Sequence, residues 1–132
     1  MKTRDLDLIL IYANREDYGN FDYLTGFGPR FEEAILVLDK SGKAQLLLGN
    51  ECIGMAEYSR IPTEGILYQT VSLPNQPMDE HRKLDEILNE IGINDSHKVG
   101  IVGWKLMYPV FEAIDTFDVP SFMVEGVGPM VK

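Results

Sequence analysis

The chain has 132 residues, and 12 Lys and Arg against 21 Asp and Glu give it a formal net charge of −9. That length suits one domain with one ordinary core, read as a single unit over residues 1–132. A composition of 45% hydrophobic and 25% charged residues excludes a disordered chain. The acidity argues against nucleic acid as a partner, because phosphate backbones are bound by neutralising cations. No basic stripe relieves it: Arg82-Lys83 sits among Asp79, Glu80, Asp85 and Glu86.

The single cysteine, Cys52, has no partner for an internal disulfide, and no Cys/His set has zinc spacing. Such usage fits a reducing, cytoplasmic compartment. Asp7 interrupts the first apolar run, so the start lacks a signal peptide's layout. No stretch approaches the roughly 20 apolar residues that cross a bilayer, and no membrane partner is expected.

Leu6 to Ala13 is a near-continuous apolar run and predicts a strand covered on both faces. Residues 15–25 predict a turn or short helix, with Asn20 placed to cap Phe21 onward. Ala34–Leu38 and Ala44–Leu48, joined by Asp39-Lys40-Ser41-Gly42-Lys43, predict an antiparallel hairpin. Asn50 then caps a short helix through Tyr58, before Pro62, and Gly65–Leu73 forms a strand. Leu84, Ile87, Leu88 and Ile91 share one face of a helix over 78–91, with Asp79 and Glu80 in its first turn and Gly92 ending it. Lys98–Trp104 reads as a buried strand. Pro109 opens a helix bearing Val110, Ile114 and Phe117, and Pro120–Val124 is the last strand. This order predicts an α/β fold, a mixed β-sheet with flanking helices.

Few residues carry a chemical signature. His81 and His97 stand apart from any nucleophile or metal pair and read as surface residues. No G-x-S-x-G elbow surrounds any serine. Gly26-Phe27-Gly28 opens like a dinucleotide loop, but Phe31 stands where a third glycine belongs, so a turn is expected. Gly126-Val127-Gly128 reads as linker at a domain boundary. Asp5 and Asp7 share one strand face, and with Glu32 and Glu33 they define a metal-hydrolase alternative if the fold brings them together. Cys52 reads as a buried structural thiol, with a reactive thiol near a helix start as the alternative. Tyr18, Phe21, Tyr23, Phe27 and Phe31 anchor a loop to the core or meet a partner, and Arg30 is the first residue to test at such an interface.

Asn20-Phe21-Asp22-Tyr23-Leu24-Thr25-Gly26-Phe27 resembles the N-x-x-Y-L-T-G-F motif of N-terminal domains in the creatinase/prolidase/aminopeptidase P family. The order around it agrees: a strand before, a hairpin after, then a helix and the later strand Lys98–Trp104. Gly49-Asn50-Glu51-Cys52 departs from the D-x-R-Y-like segment of many relatives. The resemblance implies a ribonuclease-H-like sheet. It also implies a non-catalytic accessory role before a separate pita-bread catalytic domain, whose two Asp, one His and two Glu would hold a divalent metal pair (Mn, Co or Zn). No catalytic, cofactor or metal residue is then expected within 1–132. The motif residues Asn20, Tyr23, Leu24, Thr25, Gly26 and Phe27 are not catalytic in this reading, and Arg30 and Phe31 are placed at an interface or substrate side. Expected partners are its own catalytic domain and further copies of itself. The alternatives are a stand-alone metal-dependent hydrolase and a small-molecule binding module on the same fold.

Overall fold

Leu8–Ala13 (β1) sits inside the sheet because both of its faces are apolar. In the computed structural model, which describes residues 4–103, 105–106, 115–116, 123 and 126–127, β1 pairs antiparallel with Ala34–Asp39 (β2), from Leu8↔Asp39 to Ala13↔Ala34. Ala44–Leu48 (β3) returns antiparallel along β2. Glu64–Leu67 (β4) joins β3 in parallel, and Val99–Val102 (β5) joins β1 in parallel. The five-stranded mixed sheet runs β4-β3-β2-β1-β5. Lys105–Leu106 (β6) and Asp115–Thr116 (β7) form a separate antiparallel pair.

The hairpin turn follows its sequence. Asp39 Oδ1 accepts the Ser41 and Lys43 backbone N–H groups at 2.8 and 3.0 Å, and Gly42 takes the left-handed conformation that reverses the chain. Side chains alternate across the sheet with period two. Leu8, Leu10, Tyr12, Ile35, Val37 and Leu47 build one core, and Ile11, Ala34, Leu36, Leu46 and Leu48 build the other.

Each core has its own cover. Leu84–Glu90 (α2) lays Leu84, Ile87 and Leu88 on the first, beside Tyr68 and Val71. Gly19–Thr25 (α1) buries Phe21 in the second, where Ile53 and Ala56 of the 3₁₀ helix Ile53–Tyr58 also pack. Layers on both faces explain why β1, β2 and β3 read as continuous apolar runs rather than alternating ones.

Several local expectations change. Asn20 lies within α1, whose N-cap is Tyr18, and no side chain caps that helix. The cap-like bonds fall one turn earlier, where Asn14 Oδ1 accepts the Glu16 and Asp17 N–H groups at 2.9 and 2.8 Å. Asn50 caps nothing: its side-chain amide donates to the Pro77 carbonyl at 2.9 Å and its oxygen accepts from Gln69 at 3.1 Å. The helix expected over 78–91 begins at Leu84, so Asp79 and Glu80 precede it and Asp85 and Glu86 occupy the first turn. Its start is fixed by the Lys83 N–H donating to the Glu86 carboxylate at 2.9 Å, and its end by left-handed Gly92.

The strand expected through Leu73 stops at Leu67, and Gln69–Val71 turns as a short 3₁₀ segment. Gln69 is buried there, donating to Asn50 and accepting the Glu80 N–H at 2.7 Å. A buried amide needs both sets of partners, which a straight strand would not supply. Residues 109–114 and 117 of the expected third helix lie outside the described residues; Asp115–Thr116 pair as strand β7. Of the strand expected at Pro120–Val124, only Met123 is described, and it is helical. Gly126-Val127 is helical rather than linker, and Met123 and Val127 are fully buried in the α2 core. No helix among the described residues is long and apolar enough to cross a membrane.

Candidate functional site

The motif octapeptide folds as one unit. Thr25 Oγ1 donates to the Phe21 carbonyl at 2.9 Å, and Gly26, left-handed at φ 83°, closes α1 by donating to the Asp22 carbonyl at 2.7 Å. Only a residue without a Cβ enters that conformation freely. The Arg60 N–H reaches the Thr25 carbonyl at 2.7 Å and its guanidinium donates to the Tyr23 carbonyl, so two of the helix's last carbonyls are satisfied from across the chain. Phe27 turns inward and meets Phe21 edge to face, with ring centroids 5.4 Å apart. Leu24 is half-buried, whereas Asn20 and Tyr23 are exposed.

Beyond this unit the chain makes a tight turn. The Glu32 N–H donates to the Pro29 carbonyl at 3.1 Å, leaving Arg30 and Phe31 at the tip. Arg30 is left-handed at φ 54°, and Phe31 is 67% exposed. Glu32, next in sequence, points the other way and is 2% exposed.

The buried Glu32 carboxylate accepts the backbone N–H groups of Glu51 and Cys52 at 3.0 and 2.9 Å. Those donors lie at the entry to the 3₁₀ helix, so Glu32 supplies from 20 residues away the anchor expected of Asn50. Cys52 donates its S–H to the Pro29 carbonyl at 3.4 Å. Burial, the bond to Glu32 and the charges of Glu32 and Glu51 push the Cys52 thiol up to about 12. Cys52 is half-buried rather than the fully buried thiol expected, and these influences favour its protonated form at neutral pH.

The turn separates two adjoining hollows. One, of about 390 Å³, is lined by Pro29, Arg30, Glu32, Cys52 and Leu73. The other, of about 490 Å³, lies among Arg15, Tyr18, Phe27, Arg30, Phe31 and Met55. Both are in the size range of small-molecule sites. The Tyr18 ring covers Gly28, where a Cβ would come within 2.8 Å of it. Arg15, Tyr18 and Met55 therefore join Arg30 and Phe31 at one place. The aromatic cluster signalled Tyr18, but nothing in the sequence signalled Arg15 or Met55.

The carboxylates do not converge. Asp7 lies at the Asp39 end of β1 and Glu32–Glu33 at the Ala34 end of β2, so the antiparallel register puts the length of the sheet between them. Asp7 is committed elsewhere: Lys40 Nζ bonds one of its oxygens at 2.6 Å and the Lys98 N–H the other at 2.9 Å. Both hold its carboxyl below the usual range, and Asp5 pairs with the Lys98 ammonium. Among the described residues no group of three or more His, Cys, Asp or Glu is arranged to hold a metal ion. His81 Nδ1 lies 3.4 Å from Thr70 Oγ1, and His97 is tied to the Asn94 backbone.

No protein-family model, curated protein or solved structure matches this chain.

Proposed function

We propose that the chain is a non-catalytic accessory lobe of an Xaa-Pro peptidase-like metallohydrolase, with the ribonuclease-H-like topology of creatinase-type N-terminal domains. In this reading it acts by self-association and by shaping access to a divalent metal pair held by a C-terminal catalytic domain. Two features support the topology: the antiparallel run β1-β2-β3 and the parallel placement of β5 beside β1. The observation that carries the function is the folding of residues 20–27 into a capped helix end whose continuation projects Arg30 and Phe31 from one end of the sheet. Tyr23, Phe31 and Tyr58, each at least 67% exposed, give that region the aromatic surface favoured at interfaces.

Sequencing the transcript through codon 132 tests this directly. The expected result is an open frame running into a segment with two Asp, one His and two Glu. Purified 1–132 supplied with Mn²⁺ or Co²⁺ should leave Xaa-Pro peptides intact and should self-associate in light scattering. A stop codon behind Lys132, together with peptide turnover by that short product, overturns the reading.

A further inference from the structure

Two arginines and no carboxylate line the larger hollow. Arg15 and Arg30 both line it, and among the described residues neither makes a hydrogen bond or an ion pair. The contrast within the chain is sharp. Arg60 is bound to the Tyr23 carbonyl, and Arg82 to Glu90 and the Leu67 carbonyl. In a protein of net charge −9, this concave surface is lined by two arginines and by no acidic residue.

The backbone is arranged to keep them there. Arg30 occupies the left-handed region, a strained conformation for a residue with a Cβ. Strain of this kind persists where the surroundings enforce it, and it gathers at ligand sites. Arg15 stands in the turn that Asn14 closes with two side-chain-to-backbone bonds. Between the two arginines the wall is apolar: Tyr18, Phe27, Phe31 and Met55. Tyr18 and Phe31 are 43% and 67% exposed, and aromatic rings of that exposure beside a cavity offer a face for stacking.

We propose that this hollow binds a small carboxylate with an apolar or aromatic body, the carboxylate held by Arg15 and Arg30 and the body lying against Tyr18, Phe31 and Met55. The planar guanidinium fork matches a carboxylate in geometry. Charge selects against multiply charged anions, because Glu32 and Glu51 line the adjoining hollow. Those two carboxylates do not compete for the arginines. Glu32 is engaged by two backbone N–H groups, and Glu51 accepts from Gln76 at 2.9 Å. The assignment goes beyond the accessory-lobe reading and rests on this chain's own residues.

Titration calorimetry on the full 132-residue chain in metal-free buffer tests it, with N-acetyl-phenylalanine as probe. Its neutral amide and inorganic phosphate are the controls. The acid should bind saturably at one site, and the amide and phosphate at least tenfold more weakly. Arg15→Gln and Arg30→Gln should each weaken the acid at least tenfold with the thermal midpoint unchanged, and Phe31→Ala should weaken it severalfold. Four results overturn the proposal: no saturable binding up to roughly 20 mM; the amide bound as tightly as the acid; phosphate bound as tightly as the acid, which marks a plain anion patch; or a folded arginine variant that binds like the parent. Peptidase activity enters none of these outcomes, so the binding result and the metallohydrolase reading fail separately.

Discussion

The Glu32 carboxylate stands where a side chain on Gly49 would begin: a Cβ there would lie 2.7 Å from its carboxyl carbon and from both oxygens. No real Cβ makes such a contact, so Gly49 is the space into which Glu32 folds. A carboxylate at the end of a flexible side chain usually swings aside at little cost. This one is buried and clamped by two N–H donors, so moving it breaks both bonds. Bonds to a charged acceptor contribute about 1.5–3 kcal/mol each, and orphaned buried donors carry a further penalty. Gly49→Ala should therefore destabilise by about 2–4 kcal/mol in urea unfolding. Glu32→Gln keeps one acceptor oxygen and should cost about 1–3 kcal/mol. In the double variant Gly49→Ala/Glu32→Ala the losses measured for the single variants Gly49→Ala and Glu32→Ala should not add, because the methyl enters space already vacated. Strict additivity would show that the two residues do not share that space.

This contact marks the boundary of what the sequence makes legible. Elements that rest on local chemistry are read correctly: the β1 run, the Asp39–Lys43 turn, the α2 face and its Gly92 stop. Bonds formed across the chain are not. Asn50 has an N-cap's composition and stands just before a 3₁₀ helix, yet its amide serves Pro77 and Gln69 while Glu32 serves the helix entry. Nothing near Asn50 announces a carboxylate arriving from 20 residues away. The candidate site divides similarly. Arg30 and Phe31 stand out beside a Gly/Pro turn, whereas Arg15 joins them only because α1 folds the chain back. Gly126 misleads in the opposite sense, since a Gly-Val-Gly triplet near a terminus has a linker's composition. Its small size instead admits Leu84, whose Cβ lies 3.0 Å from the position a Cβ would occupy.

That packing makes the C-terminal segment part of the core. Met123 and Val127 are fully buried against the α2 face. Met123→Ala should cost about 2–5 kcal/mol, the usual range for emptying a buried methionine site. Gly126→Ala presses Leu84 back by a few tenths of an ångström. The roughly 1 kcal/mol that Ala gains over Gly in a helix offsets part of the overpacking, so the net cost should stay below about 2 kcal/mol. Truncation at residue 122 removes both buried side chains, each contributing about 1.5–3 kcal/mol of burial. The truncated chain should therefore melt well below the parent in calorimetry. A truncated chain with the parent's melting temperature would show that these side chains do not hold α2 in place.

Acid should weaken the fold through two carboxylates at one end of the sheet. Asp7 is lowered by bonding to Lys40 and to the Lys98 N–H, and Asp39 by Ser41 and its own turn's N–H groups. Both are bound more tightly as anions in the folded chain. Their contribution is full above the unfolded carboxylate value of roughly 3.9 and is lost as pH falls through the lowered folded values. Lys40 and Lys98 are raised by Asp7 and Asp5. They contribute fully below the unfolded lysine value of roughly 10.4 and lose that contribution as pH rises through their folded values. With respect to these groups, melting temperature against pH should be flat from about 4 to 10 and fall on both sides. Lys40→Met should shrink the acid limb, as should 1 M salt, whose screening length of about 3 Å weakens the exposed pair. The part due to Asp39 should survive both, because its partners are hydrogen-bond donors within its own turn. An acid limb unchanged by Lys40→Met would show that the Lys40–Asp7 pair contributes nothing to it.

Cys52 offers the most direct chemical reading of the buried carboxylate. With its thiol pushed up to about 12, the thiolate fraction at pH 8 lies about three orders of magnitude below that of an ordinary cysteine near 8.5. Part of that deficit is recovered, because a more basic thiolate is the better nucleophile. With a dependence on basicity like that of thiol–disulfide exchange, the net slowing for iodoacetamide is about one to two orders of magnitude relative to a free cysteine peptide. Glu32→Gln removes the nearest negative charge and the bond that favours the protonated form, and should speed alkylation severalfold. Glu51→Gln removes a weaker influence and should change the rate less. Mass spectrometry of timed aliquots measures all three chains under native conditions. Equal rates for the parent and Glu32→Gln would mean that burial alone keeps the thiol protonated and that the carboxylate has no part in it.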